Sequence, residues 1–208
     1  MKIFLIAEVF ILVFALGLAV IRSLPGPVFF PLRAAAIVYA DLFRGIPTIL
    51  VIAMLGFGAP ALGLSWVPTS TTFWGIVALV LVYTAYVSEV YRAGIESVHP
   101  SQEAAARSLG LTKWQAMRFV VLPQAVRRVI PPLLNDFIGL QKDTALVGTV
   151  GAIEAFNQAN IDVNATFNFT PYLVATLLFV AITIPLARFT DWLVLRDRRR
   201  RQAAGVAA

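Results

Sequence analysis

Between Ile3 and Ile21 the chain reads IFLIAEVFILVFALGLAVI, an apolar run of the roughly 20 residues that a helix needs to cross a bilayer. Comparable runs lie at about 32 to 57, 73 to 93, 131 to 150 and 171 to 193. Apolar residues make up 59% of the 208 positions and charged ones only 13%, so these runs are the body of the chain and not inserts in a soluble fold. The chain is therefore read as an all-α integral membrane protein of about five transmembrane helices. Its length leaves no room for a separate soluble domain. The first run also has features of a signal peptide, with Lys2 ahead of it and small residues at Ala15 and Gly17. It exceeds the roughly 7 to 15 residues of such a segment, and a retained span is the reading adopted.

Several chemistries are excluded or disfavoured. No cysteine is present, which removes disulfides, thiolate metal sites and a catalytic thiol. His99 is the one histidine and cannot build a histidine metal cluster alone, so no metal site is expected and a solvated loop histidine is the simpler reading. The formal net charge of +6 sits beside apolar spans, where positive-inside bias accounts for it without nucleic acid. No G-x-x-x-x-G-K-[ST] phosphate loop and no recognisable catalytic nucleophile occur, so the chain is not expected to be an enzyme, and any ATP would be used by partner subunits.

Charges within the spans call for pairing. Asp41 and Arg44 stand three apart before an interruption at Gly45 and Pro47, and Glu89 and Arg92 share that spacing; both are read as structural pairs. The fourth span, taken to start at Pro131 and Pro132, is unusually polar. It carries Asn135, Asp136, Gln141, Lys142, Asp143 and Thr144, with 135/142 and 136/143 each recurring on nearly one face. Such groups belong in a bundle interior, a wet cavity or the interface. The fifth span closes on RDRRRRQ, the start of a basic tail over 196 to 208 suited to anionic headgroups.

Lysine and arginine positions orient the bundle. A cytoplasmic C-terminus places Arg22 and Arg33 inside, then Arg107, Lys113, Arg118, Arg127 and Arg128, then the basic tail. The opposite connections, GAPALGLSWVPTSTT and the segment from Glu154 to Thr170, contain no cation. The N-terminus then lies outside.

Between the third and fourth spans, at 98 to 123, sits a polar loop containing EAAARSLGLTKWQAMRFVVLP. Pro100 and Ser101 can start a short helix, and Gly110 can end it in a left-handed conformation. Thr112 and Gln115 fit a capping box for a second helix that Pro123 would limit. Two short helices meeting at a glycine make either a docking projection or an amphipathic pair on the lipid surface, with Trp114, Met117 and Val120 buried; the residues alone weigh these equally.

The loop resembles the EAA loop of bacterial ABC-importer permeases through Glu103, Ala104 and Ala105, then Gly110, then Leu122 and Pro123. DLFRGIP, EVYRAG, LPQAVRRVIPPLLNDFIGLQKDTAL and GAIE are similar to the polar amino-acid uptake branch, the histidine/glutamine type, so the resemblance covers about residues 9 to 195. It implies a type I permease subunit in the bacterial inner membrane. The implied partners are a second permease copy or homologue, a dimer of cytoplasmic ATPases and an extracytoplasmic solute-binding protein. It also implies that Glu103, Ala104, Ala105, Gly110, Leu122 and Pro123 couple the bundle to the ATPase. One departure is that family members usually carry a further N-terminal extracytoplasmic stretch. Asn135, Gln141, Asp143 and Thr144 are the candidate substrate path, against an internal structural network made by the same residues. A self-contained ion-coupled carrier or channel is the competing function; it would need no docking loop.

Overall fold

The computed structural model describes residues 1–203. The expected basic tail lies outside the described residues beyond Ala203, as do the side chains of Arg198, Arg200 and Arg201. The chain is helical in α1 (Lys2–Ser23), α2 (Phe30–Gly45), α3 (Thr48–Ala61), α4 (Thr71–Glu96), α5 (Pro100–Ser108), α6 (Lys113–Ala116), α7 (Leu122–Asp143), α8 (Ala155–Thr166) and α9 (Thr170–Ala203).

Helix α1 ends where Leu24 turns extended ahead of Pro25, as a residue before proline tends to do. It buries Phe4, Ala7, Ile11, Ala15 and Ala19, a stripe at helical spacing whose alanines let another helix come close. That helix is α4, which packs along α1 and also contacts α2, α3 and α7. The spanning part of α4 is 56% buried, against 33% for α1 and 11% for α9, so α4 is the axis of the bundle and α9 its outer wall. Glycines set the closest approaches. A Cβ on Gly75 would collide with Val147, one on Gly94 with Val129, and one on Gly56 would lie 2.8 Å from a methyl of Val150.

Among the described residues three helices, α1, α4 and α9, are long and apolar enough to cross a membrane, and α2 with α3 makes a fourth crossing if counted as one span. The second apolar run is sharply broken. Ile46 is extended before Pro47, and α2 and α3 meet at 101°. A π-helical turn at Met54–Gly58 further widens α3 where Gly56 meets Val150.

The segment expected as a span at 131 to 150 is not one of these crossings and differs from its expected form. It does not begin at Pro131: α7 starts at Leu122 and carries Pro131 and Pro132 inside it. Nor does Pro123 end the second loop helix, because α6 passes through a π-helical turn, Met117–Val121, directly into α7. Pro123 has no amide to donate, and it falls in the first turn after that change of hydrogen-bond ladder. At its other end α7 tightens into a 3-10 turn, Thr144–Val150, which Gly151 closes at φ 84°.

The connection after it holds a helix that hydropathy does not reveal. Glu154 caps α8, its carboxylate accepting from the amides of Phe156 at 2.7 Å and Asn157 at 2.6 Å. Phe167 ends that helix at φ 51°.

Candidate functional site

The loop between α4 and α7 has the helix, glycine turn and second helix that its local chemistry dictates. His99 is exposed and caps α5, with Nδ1 accepting from the amide of Ser101 at 3.2 Å. At the far end the amide of Leu111 donates to the carbonyl of Ala106 at 3.3 Å and that of Gly110 to Arg107 at 3.0 Å. These bonds close the helix around Gly110 at φ 87°, a conformation glycine adopts freely. Thr112 and Gln115 then form a reciprocal capping box, at 3.3 and 2.9 Å.

The hairpin is anchored at its base and bare at its tip. Val98, Val121 and Ala125 form a small buried cluster against which Met117 packs, and Arg128 donates to the carbonyl of Ser97. Ala104, Ala105 and Gly110 beyond that base, and Pro123 at its foot, are exposed, and Glu103 is half-buried. Leu109, Trp114, Phe119 and Leu122 are exposed too. Trp114 is exposed, Met117 packs against the base and Val120 is half-buried.

A second constellation lies along α7. The hydroxyl of Tyr83 on α4 donates to Asp143 Oδ2 at 3.0 Å and sits over Gly139. Gln141 is buried and accepts at Oε1 from Thr183 of α9 at 3.0 Å, while Thr144 donates back to the Gln141 carbonyl at 2.7 Å. Asn135 and Lys142 are exposed together on the other face. The four expected path residues thus divide: Gln141 and Asp143 bond to other helices, Thr144 bonds back to the Gln141 carbonyl, and Asn135 stands apart.

Sequence reading missed Glu8, the acid inside the first apolar run. It is half-buried and close enough to Asp136 to feel its charge. Oδ2 of Asp136 is buried with no hydrogen-bond partner among the described residues. An acidic residue within an otherwise apolar span was the available signal. Tyr83 and Thr183 carried no such signal.

Near the end of α4, Glu89 joins three elements. Arg22 of α1 donates to Oε1, Arg92 donates to Oε2 at 2.8 and 3.0 Å, and Arg44 of α2 lies 3.6 Å from Oε1. The expected Glu89 and Arg92 pair is present. The expected Asp41 and Arg44 pair is not, because Arg44 turns toward the more buried carboxylate of Glu89.

Residues 11–199 match the family described as "Binding-protein-dependent transport system inner membrane component", and the chain belongs to that family. It is thus a transport permease of the ABC-importer class, a kind of protein that is not in general catalytic. It is 37% identical over 184 residues to "Probable glutamine ABC transporter permease protein GlnM" of Bacillus subtilis, covering 88% of this chain and 83% of that one. To "Probable amino-acid ABC transporter permease protein PatM" of Vibrio harveyi it is 34% identical, covering 88% and 82%. The crystal structure of an amino acid ABC transporter with histidines superposes with a TM-score of 0.82 at 31% identity, covering 95% of this chain and 89% of the other. An inward-facing MetNI methionine ABC transporter shares the fold, with a TM-score of 0.72 at 21% identity.

Proposed function

We propose that this permease imports polar amino acids as half of a two-permease translocation unit, powered by two cytoplasmic ATPases and supplied by an extracytoplasmic binding protein. The observation that carries the coupling role is the exposed hairpin tip around Gly110, held rigidly by caps at both helices and by a buried base. Glu103, Ala104, Ala105 and Gly110 seat in a groove on the ATPase, with Leu122 and Pro123 at the hairpin's foot. The chain itself binds no nucleotide or other cofactor and catalyses no reaction. Gln141, Asp143 and Thr144 line the path from α7, and Asn135 on the exposed face meets the second permease.

Support for an amino-acid cargo comes from relatives whose names specify glutamine or amino acids. The bundle sits in a bacterial inner membrane with the hairpin and C-terminus in the cytoplasm, which agrees with the cation-free connections on the other side. The test is reconstitution. Purified chain in liposomes should take up radiolabelled glutamine only when a cognate ATPase, ATP and binding protein are added. Uptake by the chain alone would instead favour a self-contained ion-coupled carrier or channel.

A further inference from the structure

Where α2, α4 and α7 meet near the end of α4, a cleft of about 440 Å³ is lined by Arg44, Glu89, Val90, Ser97, Arg128 and Pro132 among others. Its carboxylate is already satisfied. Arg22 donates to Glu89 Oε1, and Arg92 donates to Oε2 at 2.8 and 3.0 Å. Arg44 stands 3.6 Å from Oε1, beyond hydrogen-bonding distance, and its side chain is 42% exposed. Arg128 gives one donor to the Ser97 carbonyl. A guanidinium carries five N–H donors in a planar fork, so both residues bring unfilled donors to the same cleft. Around it Arg22, Arg44, Arg92 and Arg128 outnumber Glu89 and Glu96, leaving an excess of positive charge.

We propose that this cleft binds the phosphodiester of an anionic phospholipid of the cytoplasmic leaflet, held by Arg44 and Arg128. The choice of leaflet rests on the orientation proposed above. Paired phosphate oxygens match a guanidinium fork, and basic pockets between membrane helices suit lipid headgroups of this charge. Val90 and Pro132 add apolar surface that meets the glycerol and the first methylenes, which free phosphate lacks. The lipid thereby ties α2 to α7 across the end of the axial helix.

The chain, purified in an uncharged detergent, is titrated with dioleoyl phosphatidylglycerol, dioleoyl phosphatidylcholine and inorganic phosphate, and bound lipid is counted by native mass spectrometry. Phosphatidylglycerol should bind in preference to phosphatidylcholine and resist displacement by inorganic phosphate. Arg44→Gln and Arg128→Gln should each weaken it about fivefold and together about thirtyfold, from the usual worth of one cation near an anionic surface. A photoreactive phosphatidylglycerol applied to the parent chain guards against misfolded variants, and its crosslinks should fall around Arg44 and in residues 89 to 97 and 128 to 132. Equal affinity for phosphatidylcholine, displacement by inorganic phosphate, a folded double variant that binds like the parent, or crosslinks confined to other segments would each overturn the site. A reversed orientation would move the cleft to the other leaflet without abolishing the preference in detergent, so the two readings fail separately.

Discussion

Glu89 is held at the junction of α1, α2 and α4 with only 16% of its side chain exposed, and Arg22 beside it is 11% exposed. Removing one charge from such a pair leaves the other desolvated and uncompensated, a loss of about 3 kcal/mol or more. Glu89→Gln should therefore lower the thermal midpoint of the detergent-solubilised chain clearly. The pair Arg92 and Glu96, past the spanning part of α4, is the contrast, with side chains 39% and 59% exposed; Glu96→Gln should cost less than about 1 kcal/mol. Equal midpoints for the two variants would deny Glu89 its structural role. Gly110 tests a different property. At φ 87° a β-branched residue is strained by about 1–2 kcal/mol, too little to stop insertion but enough to distort the exposed turn. Gly110→Val should reach the membrane and lose transport together with ATPase association, while Gly110→Ala is milder. Normal transport by Gly110→Val would show that the hairpin is not a rigid coupling element.

Among the elements, α4 and α7 approach closely at glycines. Gly94→Ala places a methyl against Val129, so the helices must separate at a cost of about 1–3 kcal/mol. Gly17 in α1 has no atom within 4 Å of its would-be Cβ, and Gly17→Ala should stabilise by about 0.5–1 kcal/mol through helix propensity alone. Opposite shifts in thermal midpoint are the expected result, and a stabilising Gly94→Ala would refute the contact. This contrast also marks what the sequence could disclose. The helix start at Pro100, the turn at Gly110 and the capping box of Thr112 with Gln115 were legible because their partners lie within a few residues, as was the pairing of Glu89 with Arg92, whereas the cap made by His99 was not foreseen. The Arg22 and Glu89 pair, separated by 67 positions, was not, nor was Thr183 on Gln141, separated by 42. Proline signals misled in one direction. Pro131 and Pro132 read as a helix start, yet neighbouring helices supply enough packing to keep α7 continuous through them.

For the whole molecule the open question is which face of the bundle meets the cytoplasm, since helices alone do not carry that information. Charge does: the hairpin and its foot hold Arg107, Lys113, Arg118, Arg127 and Arg128, whereas the connection from Gly58 to Thr72 holds no lysine or arginine. Lysine and arginine resist translocation, so the hairpin should remain inside and the opposite connection should lie outside. The absence of cysteine makes the test clean, because each introduced thiol is the only one present. Ser65 and Lys113 are both exposed, one on each connection. Ser65→Cys should react with a membrane-impermeant maleimide in intact cells. Lys113→Cys should react only after the membrane is opened, and addition of the cognate ATPase should then protect it, since the hairpin tip would be covered. Labelling of Lys113→Cys in intact cells would invert the orientation and remove the hairpin from reach of any cytoplasmic ATPase. Labelling that follows the expected sides but ignores the ATPase would leave the topology standing and move the docking surface elsewhere.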